Sequence, residues 1–203
     1  MKIVIVGGGV SGWISALLFP IRQPDHEYVI VESPEVKTIG VGEGTTGFFT
    51  SHVISKYFNI TIEEFLRETK ATPKIGIEFN NWNRIGSKYF NPIDGSITKS
   101  ESFDSALYYT YTKNPKLDNS SLHGLMRGIN KSPFYKSSGE LKYYDTALHL
   151  DNELAIKYLK KKALNAKNLS YISDTVSEII RKQNGDVEKI ICETNTIEGD
   201  IFI

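Results

Sequence analysis

The chain opens KIVIVGGGVSGW over residues 2–13, and a second β-branched run, EYVIVE at 27–32, follows one helix-length later. That order constrains the fold more than any other feature. Lys2 to Val6 is short and apolar, as expected of a strand covered on both faces of a parallel sheet. Gly7, Gly9 and Gly12 stand in G-x-G-x-x-G spacing where strand should give way to helix. Gly7 permits the tight turn, Gly9 lets backbone approach a pyrophosphate, and Gly12 lets helix and strand pack closely. Val10, Ser11 and Trp13 then fall in the first turn of a helix, whose unpaired N–H groups and partial positive charge suit phosphate. The second strand, from Glu27 or Tyr28 to Val31, ends in Glu32, a carboxylate able to accept hydrogen bonds from ribose hydroxyls. Strand, glycines, helix, strand and terminal acid in this order predict a dinucleotide site and leave NAD and FAD open. Glycines that only make a tight turn, with Glu32 only ending a strand, are the plain alternative.

Composition removes several classes of function. The 203 residues are enough for one domain with a sizeable core, or somewhat more. Lys plus Arg and Asp plus Glu both number 24, so net charge is zero, which argues against a general nucleic-acid binder. Cys192 is the only cysteine, so no intramolecular disulfide can form, in keeping with a reducing, cytoplasmic setting. No apolar run approaches the roughly eighteen residues of a membrane span. The N-terminal apolar stretch runs into glycines and reads as a strand rather than a signal peptide. His26, His52, His123 and His149 lie far apart without metal-ligand spacing, so no metal site is expected.

Further along, a first helix is expected from Gly12 to about Ile21, kinked or stopped at Pro20, because proline inside a helix costs about 3 kcal/mol. Residues 33–45 read as a loop, 46–57 as a helix, and 62–70 as another, opened by a Thr61/Glu64 capping box. Alternation at Ile75, Ile77 and Phe79, with Tyr89 and Phe90 beyond a turn near Gly86, predicts a β-hairpin. Residues 91–144 are rich in Tyr, Ser, Asn and Lys without clear period, with a possible helix at 103–111, and read as an insertion. Asp151 is a good N-cap for a helix through about Asn165. A strand at 169–172, a hairpin turning at Asn184–Asp186, and a last strand over 196–203 complete the pattern.

A second glycine-rich motif, IGVGEGT, occupies 39–45. Gly40, Val41, Gly42, Glu43, Gly44 and Thr45 place three glycines round one carboxylate, which suits close approach of backbone to something flat or charged. VGGGVSGW, VESP at 31–34 and IGVGEGT together resemble the flavin-dependent tryptophan halogenase family. ATPKIGIEFNNW at 71–82 resembles that family's segment carrying an essential lysine, and LHLDNELAIKYLKKKA at 148–163 and EGDIFI at 198–203 resemble later flavin-domain segments. The resemblance implies a reaction in which reduced FAD, supplied by a separate flavin reductase, and O₂ oxidise chloride or bromide. The resulting electrophilic halogen passes by way of a lysine to a small, electron-rich aromatic such as tryptophan or an indole. Lys74 matches that lysine, and the loop bearing Glu43 matches the flavin- and halide-side loop.

Haloamine formation needs a neutral amine, whereas an exposed lysine titrates near 10.4; a hydrogen-bonding role needs only the ammonium. Ile75, Ile77, Phe79 and Trp82 are the candidates for an apolar wall round Lys74. Pro73, where the family usually has an aromatic, removes a backbone donor and could tilt the lysine. The resulting expectation is an α/β, Rossmann-like FAD-binding domain with hairpin and helical insertions, incomplete at its C-terminus. Its parts are 1–90 (the βαβ unit, glycine loop and lysine hairpin), 91–144 (an insertion toward substrate) and 145–203 (return to the flavin domain). An FAD-binding monooxygenase-like protein without halogenation, or a non-catalytic remnant, stays open beside it.

Overall fold

The structure, a computed structural model, describes residues 1–37, 42–93, 122–144 and 146–203. In chain order the first elements are β1 (Lys2–Val6), α1 (Val10–Arg22), β2 (Glu27–Glu32), β3 (Glu43–Gly44), a π-helix (Phe49–Tyr57) and α2 (Ile62–Thr69). Then come β4 (Thr72–Lys74), β5 (Gly76–Asn80), β6 (Lys88–Pro92), α3 (Leu122–Gly128), β7 (Phe134–Ser137), β8 (Glu140–Tyr143) and β9 (Ala147–Leu150). The rest is α4 (Asn152–Ala163), β10 (Leu169–Ser173), β11 (Val176–Arg181), β12 (Val187–Cys192), β13 (Thr196–Glu198) and β14 (Ile201–Phe202). The chain divides into two units, one of Met1–Gly42, Glu68–Lys70 and Asp151–Ile203, the other of Glu43–Arg67 and Ala71–Leu150.

The first unit is built on a four-stranded sheet in the order β10-β2-β1-β14. Its pairs are all parallel, with Ile3 opposite Tyr28, Val4 opposite Val29, and Ser173 opposite Glu32. Both faces are apolar because both are covered. Ile30 faces α1, and Tyr28 stacks on Phe19 of that helix at 6.3 Å. On the other face Val4, Val29 and Val31 pack with Ile190, Cys192 and Ile197 of the antiparallel sheet β11-β12-β13. Each such side chain contributes roughly 1.5–3 kcal/mol on burial.

Three local expectations are revised. The first helix runs through Pro20 to Arg22: the proline sits in the last turn, where it removes one hydrogen bond, and Gln23 N–H still donates to Phe19 O at 2.8 Å. The segment after the glycine loop is largely a π-helix, not an α-helix; Phe58 N–H donates to Val53 O five residues back. This winding directs Thr50 and Ile54 into the core while Phe49 meets Phe58 and Phe65 edge-on. The stretch 196–203 is not one strand. It leaves β12's sheet after Glu198 and joins β1 from Ile201, and Asp200 ties the crossing to Lys2 through N–H to O at 2.8 Å and N–H to Oδ2 at 2.7 Å.

The second unit holds the sheet β3-β9-β4 and the hairpins β5-β6 and β7-β8. The Thr61 hydroxyl caps α2 by accepting from Glu64 N–H at 3.2 Å. The expected helix at 103–111 lies outside the described residues.

Candidate functional site

In the first unit the glycine turn forms as the spacing requires. Gly7 adopts φ +122°, a left-handed conformation that favours glycine. A Cβ on Gly12 would collide with Gly7 O, so this glycine lets α1 start against the turn. Gly9 is the N-cap, and no described residue lies within 4 Å of where its Cβ would point. The first turn, with Val10, Ser11, Gly12 and Trp13, has no side-chain cap and no acidic residue. Its N–H groups and the positive end of the helix therefore face open space beside Gly9, and the cradle fits a phosphate.

Glu32 reaches back from the end of β2 to this turn and lies against Gly8, where a Cβ would collide with its carboxylate. Its two oxygens are used unequally. Oε2 accepts from Lys160 Nζ at 2.5 Å and from Tyr171 Oη at 2.9 Å; among the described residues Oε1 accepts only a long bond from Trp13 Nε1 at 3.3 Å. The Lys160 ammonium also lies over the rings of Tyr171 (4.1 Å) and Trp13 (5.1 Å). Burial alone would raise the Glu32 carboxyl, but the bonds from Lys160, Tyr171 and Trp13 and the ammonium's charge outweigh it and hold the group below its usual value. For Lys160 burial works the other way, and the pairing with Glu32 and Tyr171 leaves it raised.

The second constellation lies in the other unit. Lys74 is not on the hairpin but in β4, the edge strand beside β9, with Ala147 directly opposite. Gly44 pairs with His149 on β9's other side, so Lys74, Ala147, His149 and Gly44 share one sheet face. Lys74 reaches past β9, and its Nζ stops 3.0 Å from where a Cβ would stand on Gly44, with His149 Cδ2 at 3.6 Å from the same point. The small Ala147 leaves room for this path. Pro73 does not turn the lysine away, because it sits in an edge strand, where a missing N–H is tolerated. The apolar wall is not as expected: Phe79 stacks on Tyr89 at 4.7 Å and meets Trp82 edge-on, and Trp82 is 74% exposed.

Of the glycine loop, Gly40 and Val41 lie outside the described residues. Gly42 precedes β3; Glu43 is exposed and, by strand alternation, points away from the face that carries Lys74. Thr45 closes the loop onto β9, where its Oγ1 accepts from Leu148 N–H at 2.9 Å and its own N–H donates to Leu148 O at 2.8 Å. Sequence reasoning missed Gly8, Lys160, Tyr171 and His149. The first three become visible only once β10 is known to lie beside β2 and α4 over that edge, and β9 itself was unmarked.

Among the described residues no group of three His, Cys, Asp or Glu could hold a metal ion, and no helix is long and apolar enough to cross a membrane.

The profile of one protein family, described as Tryptophan halogenase, matches residues 2–203. Tryptophan 7-halogenase RebH of Lentzea aerocolonigenes is 27% identical, over 100% of this chain and 41% of its own length. Tryptophan 7-halogenase KtzQ of Kutzneria sp. (strain 744) is 26% identical, again over 100% of this chain and 41% of its own length. The crystal structure of a tryptophan halogenase from Shewanella frigidimarina superposes with a TM-score of 0.83 at 26% identity, covering 100% of this chain and 41% of that one. The chain thus spans about two fifths of the length of the relatives it matches. Since the matched region holds the glycine turn, Glu32 and the Lys74 strand together, the chain belongs to the tryptophan halogenase family.

Proposed function

We propose that the chain carries the dinucleotide cradle and the reactive lysine of an FAD-dependent halogenase acting in the cytoplasm. FAD reaches it reduced by a separate flavin reductase, chloride or bromide is the co-substrate, and the acceptor is an electron-rich aromatic such as tryptophan or an indole. The observation that carries this reading is the reach of Lys74 to Gly44 across β9. A lysine serving only as a solvated edge-strand residue has no need of a glycine at its tip. Relatives named as tryptophan halogenases support the choice of reaction class.

When bound, reduced FAD would activate O₂, the oxidant that makes a halide electrophilic. The chain's own residues do the rest. Gly7, Gly9 and Gly12 with the first turn of α1 would hold the pyrophosphate, and Glu32 would accept from the adenosine ribose. Lys74 holds the halogen species by hydrogen bond from its ammonium, or covalently as the neutral amine, and faces it to the aromatic carbon. Gly42, Glu43, Gly44 and Thr45, with Gly40 and Val41, would supply the loop on the flavin side.

The test is a product assay with flavin reductase, FAD, NADH, chloride or bromide, and tryptophan, read by mass spectrometry. The proposal expects a monohalogenated product from the wild-type chain and at least a 100-fold loss in Lys74→Met with flavin binding retained. A wild-type chain that binds FAD yet gives no halogenated product favours a flavin-binding protein without halogenation. Equal product from Lys74→Met overturns the role of the lysine.

A further inference from the structure

Trp13, Glu32, Lys160 and Tyr171 meet at the edge of the glycine turn from four different elements: α1, β2, α4 and β10. This is more apparatus than a ribose-binding acid requires by itself. The carboxylate would otherwise be a half-buried side chain with several rotamers. Its Oε2 is taken up by two donors on the side of α4 and β10, while Oε1 keeps acceptor capacity and lies at Gly8, within the turn.

We propose that Lys160 and Tyr171 are positioning residues for the dinucleotide: they hold Glu32 by Oε2, so that Oε1 is presented in a fixed orientation to the adenosine ribose. This rests on the dinucleotide reading above. It adds a polarity to the site, because a carboxylate held from behind offers one oxygen rather than two. Trp13 completes the clamp: its indole N–H donates to Oε1, and its ring, with that of Tyr171, flanks the ammonium. Gly8 belongs to the same device, since a Cβ there would take the place of the carboxylate. Among the described residues, the titratable groups that meet Glu32 are Lys160 from α4 and Tyr171 from β10; Trp13 from α1 and the Gly8 backbone are not titratable.

The arrangement implies a pH signature. Removal of Lys160 leaves burial opposed only by Tyr171 and Trp13, so Glu32 takes up a proton at higher pH. The experiment is titration of the wild-type chain, Lys160→Met and Tyr171→Phe with FAD and with ADP, from pH 4 to 8, with a thermal melt of each variant. The expected result is affinity lowered about tenfold in Lys160→Met, equally for FAD and ADP, with its acid limb moved to higher pH. Tyr171→Phe should lose a few-fold with a smaller movement. A Lys160→Met chain that melts as wild type and binds both ligands with wild-type affinity and the wild-type acid limb overturns the positioning role while the dinucleotide site stands. A wild-type chain that binds neither ligand overturns the dinucleotide site itself, and the positioning role with it.

Discussion

Lys74 Nζ and Gly44 meet across an intervening strand: the ammonium stands 3.0 Å from the point a Cβ would occupy on the glycine, and β9 separates their two strands. The lysine's position therefore depends on two residues that carry no chemistry, Gly44 at its tip and Ala147 opposite its base. Gly44→Ala puts a methyl at hydrogen-bonding distance from the ammonium and pushes it aside, while the exposed strand around it tolerates the change. The prediction is a loss of about 0–1 kcal/mol in stability, typical of an exposed substitution, with product formation reduced tenfold or more. Urea denaturation beside the product assay separates the two effects.

Gly12→Ala should behave in the opposite way. Its Cβ would run into Gly7 O, a backbone atom that cannot swing away, at the point where α1 joins β1. Overpacking of this sort costs about 1–3 kcal/mol, and here the damage falls on the turn proposed to hold phosphate. Both the urea midpoint and FAD affinity should fall together.

Acid stability should depend on Asp174. Its carboxylate lies at the end of β10 and binds the turn after β12: Asn195 Nδ2 donates at 2.7 Å, Thr194 Oγ1 at 2.8 Å and Thr194 N–H at 3.2 Å, and Thr175 N–H donates at 2.8 Å. The Asn195 bond acts most strongly, burial opposes it, and the bonds from Thr194 and Thr175 join it, bringing the carboxyl from 3.8 down to about 2. A group lowered on folding stabilises the fold above its unfolded value, and that contribution is lost as pH falls toward the folded one. The wild-type chain should lose stability between about pH 4 and pH 2, and Asp174→Asn should lack that part of the slope. Melting curves taken every half unit of pH measure it.

At the start of α4, Asp151 Oδ1 accepts from Leu154 N–H at 3.1 Å. Asp151→Ala removes the cap and should cost about 1 kcal/mol, read by urea denaturation, with FAD affinity little changed, because the cap lies at the opposite end of the helix from Lys160.

The sequence made the first unit legible because its signals are local. β1, the glycine turn and β2 each carry their own pattern, and the cap at Asp151 and the turn at Asn184–Asp186 are chemical statements of a few residues. What escaped was pairing over distance. β9 is four residues long and pairs β3 and β4, which lie far from it in sequence (Gly44 with His149, Lys74 with Ala147), and no alternation marks ALHL as the centre of a sheet. Lys74 was identified by its segment, but its partner glycine could not be, because Gly44 reads equally well as part of a loop. Lys160 is one of three lysines in the last turn of α4, a place where cations favour the dipole. Its pairing with Glu32 across α4 and β2, beside Tyr171 of β10, is visible only in the folded chain.

The proposed function requires the glycine turn and Glu32 to form a working dinucleotide cradle. Titration of the purified chain with FAD, followed by flavin fluorescence or calorimetry, tests it directly. The predicted result is saturable binding of one FAD per chain in the micromolar range, weakened at least tenfold in Gly12→Ala. No binding at several hundred micromolar FAD, in a chain whose melt shows it folded, would contradict it.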